Sequence, residues 1–222
     1  MSTPLTDSGP VSTPTTGAER VRSADSGRSW RRRQLLEAAI RVMQRTGYHQ
    51  MSMQALAEEA GVSVGLAYRY FGGKEDVLLA AILDILDALR AELPSAADAG
   101  GTTAAQRLSA VFGAYIRVID RHRAAVLLTY RESATLSPAG RNQIKDLEVA
   151  TAAPLASAIS DGIASGEFIN CDVELVVHDL VLRAHGWALK HWLFARNRTV
   201  EDYIGKQTEL VLRGLSAARP VP

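Results

Sequence analysis

Residues 52–74 read SMQALAEEAGVSVGLAYRYFGGK, and their reading decides the fold. Ser52 is a good N-cap, its hydroxyl able to accept from an amide that the helix start leaves unpaired. Ala55, Leu56 and Ala60 then form a short inward stripe at helical spacing, with Glu58 and Glu59 turned to solvent. Gly61 supplies the left-handed conformation that ends the helix. Val62 plugs the corner, and Ser63 caps a second short helix to about Tyr70 that exposes Val64, Leu66, Tyr68 and Arg69. Exposed apolar and aromatic side chains call for a partner. The pattern fits a helix-turn-helix that enters a DNA major groove; a helical hairpin packed inside a bundle is the other reading. The basic neighbours and the sharp restart at Gly72-Gly73-Lys74 favour the first.

Those basic neighbours are concentrated upstream. Between Arg20 and Lys74 there are ten Lys/Arg against four Asp/Glu, a local balance of +6 in a chain whose total is +1. Arg31, Arg32 and Arg33 open the first helix, with Arg20, Arg22 and Arg28 before them. A run of charge is ordinarily a solvated helix start; beside a helix-turn-helix it reads as a DNA-facing end joined to a neutral remainder. Residues 1–28 are rich in Pro, Ser, Thr and Gly, bury too little to offset ordering entropy, and are expected to be a disordered tail.

Residues 32–83 resemble the DNA-binding domain of the TetR family of bacterial transcriptional regulators. The match rests on Gly47-Tyr48, Ser52, Leu56-Ala57, Ala60-Gly61-Val62-Ser63, Gly65, Tyr68-Arg69-Tyr70-Phe71 and Lys74-Glu75. The resemblance implies that Ser52, Tyr70 and Lys74 hold phosphates, fixing register without reading sequence. It implies that Gln54, Val64, Leu66 and Tyr68 face base edges, with Gly65 and Arg69 on the same helix. Gln54 suits adenine, while Val64 and Leu66 offer only apolar contact, as to thymine methyls. The family often carries a lysine and a threonine where this chain has Val64 and Leu66, so the operator is not legible. Gly72-Gly73 likewise departs from the usual bulky or polar pair.

Beyond Lys74 the chain reads as all-α, with about nine helices in total and no strand signal or repeat. One helix spans 74–92 and stops at Pro94; a Gly100-Gly101 loop follows. Thr103 with Gln106 forms a capping box for a helix to about 120, and another covers 124–133. Ser137-Pro138 starts a long helix to 166. Asp172 caps a helix to about 195, and Thr199 with Asp202 caps the last, ending near 215. The domains expected are a tail at 1–28, a DNA-binding unit at 29–76 and a helical effector-binding and dimerisation domain at 77–217. The last two helices are apolar on more than one side, which suggests burial against the chain's own core and against something else. The family resemblance implies a four-helix bundle between twins, hence a homodimer on a palindromic operator with recognition helices ~34–36 Å apart.

A regulator of this kind needs an effector, and apolar middle helices offer a cavity with a few polar anchors. Candidates are Phe112, Tyr115, Ile116, Ile119, Val126, Leu127, Tyr130, Arg131, Glu132, His178, Arg183 and Trp187. Residues 128–133 (LTYRES) resemble the acyl-CoA-responsive branch of the family, which would imply a thioester effector whose phosphates meet arginines. Alternatively Tyr130, Arg131 and Glu132 stitch helices together. Glu174, His178 and His185 share a helix face and, with Glu132, invite a metal reading; isolated histidines are commoner, so no metal or cofactor is assigned. No nucleophile elbow, phosphate loop, HExxH or cysteine pair is present, so an enzyme is not expected. The lone Cys171 suits a reducing cytosol, and no apolar run approaches ~20 residues, so a cytoplasmic protein is expected. The competing reading is a constitutive or metal-responsive regulator without an organic effector.

Overall fold

A computed structural model describes residues 17–216, and side chains from residue 27 onward. The described residues form eleven α-helices and one 3-10 turn; the only sheet-like pairing among them is an isolated bridge between Phe168 and Ser216. The all-α reading holds. The N-terminal helices are α1 (Gly17–Thr46), α2 (Met53–Ala60) and α3 (Val64–Tyr70). The larger domain comprises α4 (Lys74–Ala99), α5 (Ala104–Arg121), α6 (Arg123–Glu132), α7 (Pro138–Thr151), α8 (Ala153–Ala164), α9 (Val173–Leu189), α10 (His191–Phe194) and α11 (Val200–Leu215).

Capping chemistry sets most boundaries where the residues demand. Ser52 accepts from the Ala55 amide at 3.1 Å and Ser63 from the Leu66 amide at 3.2 Å. Gly61 sits at φ 65°, and its amide closes onto the Ala57 and Glu58 carbonyls. Complete capping boxes stand at Thr103–Gln106 and Thr199–Asp202.

Four boundaries depart from expectation, each for a physical reason. α1 begins at Gly17, so the tail reading fails for 17–28; residues 1–16 lie outside the described residues. The prolines of the segment end at Pro14, and Ala18, Glu19, Arg20, Arg22 and Ala24 are ordinary helix formers. α4 runs through Pro94 to Ala99: Leu89 and Leu93 are buried and Ala97 packs on the core, so the face keeps its burial despite the lost bond. The helix expected over 138–166 breaks at Ala152, because Pro154 is tolerated only in a first turn, here that of α8. The helix expected to 195 turns at Lys190, which lets Phe194 stack on Trp187 at 6.5 Å between ring centroids.

α5 is the central post, packed by α4, α8, α9 and α11, while α4 also meets α6 and α7. The buried core is continuous from Leu35 to Leu215. α1 packs on α2, α4 and α6, so the small domain rests against the large one through two helices. Within the larger domain, the Ser137 amide donates to the Glu75 carboxylate at 2.7 Å, tying the start of α7 to the first turn of α4. Among the described residues no helix is long and apolar enough to cross a membrane.

Candidate nucleic-acid interface and ligand chamber

The residues singled out in the short helices converge on one end of the molecule. α3 buries only Ala67 and packs on α2, which buries Met53, Leu56 and Ala57. That leaves Val64 38% and Tyr68 53% exposed, with Gly65 and Arg69 also at the surface. Leu66 is half-buried, less available than its sequence position implied. Ser52 and Gln54 are exposed at the start of α2, the Gln54 amide nitrogen donating to Glu58 at 3.1 Å. Glu59 does not simply face solvent: Arg41 and Arg45 both donate to it at 2.9 Å, and these bonds hold its carboxyl below the usual range.

Lys74 closes this end. Its Nζ donates to the His49 carbonyl at 3.3 Å and lies 5.0 Å from the centroid of the buried Tyr48 ring, a cation–π geometry. Tyr70 is half-buried against the core. The guanidinium of Arg32 lies 5.4 Å from the Phe71 ring, so the arginine-rich part of α1 meets the end of α3. No acidic side chain pairs with Arg28, Arg31, Arg32 or Arg33 among the described residues. The surface therefore combines cations that no described carboxylate pairs with and an apolar and aromatic helix face.

In the larger domain a chamber of about 50 Å³ opens between α4, α5, α6, α7 and α9. Its apolar wall is mostly α4, through Ile82, Ile85, Leu86 and Leu89, completed by Val126 and Ile144. The polar atoms centre on His185. Tyr130 shares a 2.9 Å hydrogen bond with its Nδ1, and Tyr115 a longer 3.4 Å contact with its Nε2. Burial drives the His185 pKa down to about 4, so the ring is neutral at physiological pH. A neutral imidazole has one N–H and one bare nitrogen, so one tyrosine donates to it and the other accepts. Burial raises the pKa of both tyrosines, with Glu148 adding to the effect. Glu148 is exposed as a residue, yet desolvation lifts its carboxyl above the usual range, opposed by His178. No lysine or arginine lines the chamber.

Of the residues proposed for an effector, Tyr115, Val126 and Tyr130 line this chamber and the others do not. Phe112, Ile116 and Ile119 belong to the closed core. Trp187 is buried too, its Nε1 donating to Asp120 at 2.7 Å and its ring packed on Tyr203 at 5.1 Å. Arg183 pairs with Asp179 one turn earlier on α9 and stitches α9 to α11 through Gln207, while Arg131 and His178 are exposed. Glu132 faces His49 of the DNA-binding unit at 3.8 Å. Leu127 lines a different cavity. Sequence reasoning weighed His185 only as a metal ligand and missed it as the centre of the chamber, for which its apolar neighbours Ala184, Trp187 and Ala188 were the available signal. The Glu174/His178/His185 metal idea gains no support: among the described residues no three His, Cys, Asp or Glu side chains converge.

A helix-turn-helix reader joined to a helical domain that encloses a chamber defines a DNA-binding transcriptional regulator. The chain belongs to the TetR family: residues 35–81 match the model of bacterial regulatory proteins of the tetR family, and residues 101–215 that of the tetracyclin repressor-like C-terminal domain. It is 33% identical over 198 residues to the HTH-type transcriptional regulator HbdR of Aromatoleum sp., covering 86% of each chain. It is 27% identical over 192 residues to the HTH-type transcriptional repressor KstR of Mycolicibacterium smegmatis, covering 86% of this chain and 90% of that one. The fold is shared with AibR, crystallised with isovaleryl coenzyme A and operator DNA, at a TM-score of 0.68 and 22% identity over 81% of this chain and 97% of that one.

Proposed function

We propose that the chain is a homodimeric repressor, released from a palindromic operator by a small, largely apolar effector held in the chamber around His185. The observation that carries this reading is the shared helix: α4 supplies most of the apolar wall, and the same helix starts at Lys74 beside the recognition helix α3. A chamber of about 50 Å³ holds a few waters and is smaller than the ~150 Å³ site that accepts benzene, so a ligand must push α4 outward. Outward movement changes the direction in which α3 is presented. A coupling of ~1–3 kcal/mol between effector and DNA suffices to lower occupancy usefully.

Ser52, Tyr70 and Lys74 hold phosphates in this reading, while Gln54, Val64, Leu66 and Tyr68 meet base edges, flanked by Gly65 and Arg69. Leu175 (65% exposed) and Leu182 (47%) on α9, and Leu210 (58%) on α11, support a dimer face on those helices. The isovaleryl coenzyme A bound by AibR supports a thioester as one effector candidate. The chamber's lack of lysine and arginine means that only the acyl part would enter it.

The test is binding of the purified chain to the DNA upstream of its own gene at stated salt, with and without acyl-CoA thioesters and plain apolar compounds. Binding to a palindrome, released by one compound and no longer released in Tyr130→Phe or His185→Phe, is the expected result. Binding that no compound weakens removes the inducible reading and leaves a constitutive regulator. Absence of any saturable DNA binding removes both.

A further inference from the structure

A second cavity is larger than the chamber. It lies at the joint between the two domains, measures about 270 Å³, and brings Gln44 of α1 together with Arg121 at the end of α5, Arg123 and Leu127 of α6, and His191 of α10. Its chemistry is the opposite of the chamber's. Two guanidiniums line it where the chamber has none. Asp120, the one carboxylate in its wall, is already engaged: Arg123 pairs with its Oδ1, and Trp187 donates to the same oxygen at 2.7 Å. Arg121 pairs with Glu92 from outside the wall while remaining exposed. The first turn of α6 also forms part of the wall through Arg123 and Ala124, and its N-cap, His122, provides no side-chain cap. Amides at such a helix start seek an acceptor and carry partial positive charge.

Donors thus outnumber free acceptors around a cavity near the lower end of small-molecule pockets (~300 Å³). We propose that this junction cleft is a second ligand site, taking the carboxylate or phosphate of a small metabolite. Arg121 and Arg123 supply the N–H groups not spent on Glu92 and Asp120, the α6 start supplies amides, and Leu127 with Ala188 packs against the ligand's carbon body. Guanidinium groups suit both oxyanions because their forked N–H groups match two oxygens at once. Gln44 gives the site its consequence: it lies on α1 of the DNA-binding unit, so occupancy ties that unit to α5 and α6. The proposal goes beyond the repressor reading and does not rest on it.

The test uses the full chain without DNA, following tryptophan fluorescence, since Trp187 donates to Asp120 in the cleft wall, together with the thermal midpoint. Inorganic phosphate, acetate and 3-phosphoglycerate are titrated against sodium chloride at matched ionic strength. The expected result is a saturable change with at least one oxyanion and none with chloride. The apparent Kd rises at least tenfold in Arg121→Gln, and binding is lost in Leu127→Glu, which sets a carboxylate in the cleft. Arg121 is exposed, so its variant keeps the test valid should Arg123→Gln disturb Asp120 and Trp187. Tyr130→Phe, in the chamber, leaves the response unchanged. A response that chloride reproduces, that survives both Arg121→Gln and Leu127→Glu, or that Tyr130→Phe abolishes overturns the proposal. Whether phosphate or acetate responds identifies the oxyanion.

Discussion

The DNA-facing unit and the ligand chamber are built on opposite plans. In the former, each helix cap closes within a few residues: Ser52 reaches Ala55, Ser63 reaches Leu66, and Gly61 folds back on Ala57 and Glu58. Functional side chains project outward and ask little of distant helices. In the latter, contacts join residues 55 and 70 positions apart, as in Tyr130 and Tyr115 on His185. A locally closed device presents one shape. A site assembled from five helices shifts when any of them moves, which is what an effector needs.

The sharpest way to break this contrast is at Trp187, which sequence reasoning placed in the ligand site and the structure places in the core. It is 2% exposed and packs on Tyr203 and Phe194. Trp187→Ala is expected to cost about 3–5 kcal/mol of folding stability, the range for a buried large aromatic. Chemical denaturation measures it directly. A loss under about 1 kcal/mol, with effector release altered instead, would return Trp187 to the ligand site and blur the contrast.

His185 sharpens it next, through pH. In the unfolded chain its imidazole protonates near 6.5, whereas in the folded chain it stays neutral down to about 4. Between those values the unfolded state binds more protons, so stability falls as pH drops from 6.5 towards 4 and this group adds nothing further below. The effect is at most about 3.5 kcal/mol, at about 1.4 kcal/mol per pKa unit. His122, also lowered by burial, pulls the same way in this window; Glu148, raised by burial, pulls against it. Denaturation midpoints from pH 4 to 7 for wild type and His185→Phe separate the contributions. Parallel curves would mean that the chamber does not enclose the ring.

The same division governs what the sequence disclosed. Ser52, Gly61 and Ser63, and the capping boxes at Thr103 and Thr199, announce themselves because capping needs particular residue types at particular offsets, and all stand as read. Periodicity showed that Phe112, Ile119 and Trp187 face inward without showing what they face. Closed core and chamber wall carry the same pattern, and only the packing of α4 against α6 and α7 separates Ile119 from Ile85. His185 was weighed as a metal ligand because its partners Tyr115 and Tyr130 lie on other helices. The early start of α1 escaped notice because composition averaged a proline-bearing stretch with ordinary helix formers.

A smaller effect tests the outward-facing half of the contrast. Lys74→Ala removes one cation from a surface that reads phosphate, so operator affinity is expected to fall about tenfold, or ~1.4 kcal/mol. The slope of log K against log salt should shrink by about 0.9, the value for one phosphate contact. The loss should be uniform across operator sequences, whereas Gln54→Ala should change the preference among them. Titrations at four salt concentrations on two operator variants decide it. An unchanged salt slope would place Lys74 in a structural role, held by the His49 carbonyl and the Tyr48 ring.

The smallest expected effect probes whether the reader unit is as self-contained as its hydrogen bonds imply. α3 has seven residues, too few to persist alone, so its stability comes from Ala67, Phe71 and the Ser63 cap. Ser63→Ala should cost about 1 kcal/mol, the usual worth of an N-cap. If that loss stays local, amides of α3 exchange about fivefold faster while those of α5 and α9 are unchanged. Effector affinity at the chamber then stays at the wild-type value, because no bond of the cap reaches α4. Faster exchange in α4 as well would show that the reader and the wall of the chamber open together, and the local plan inferred from the capping bonds would give way to a single cooperative unit.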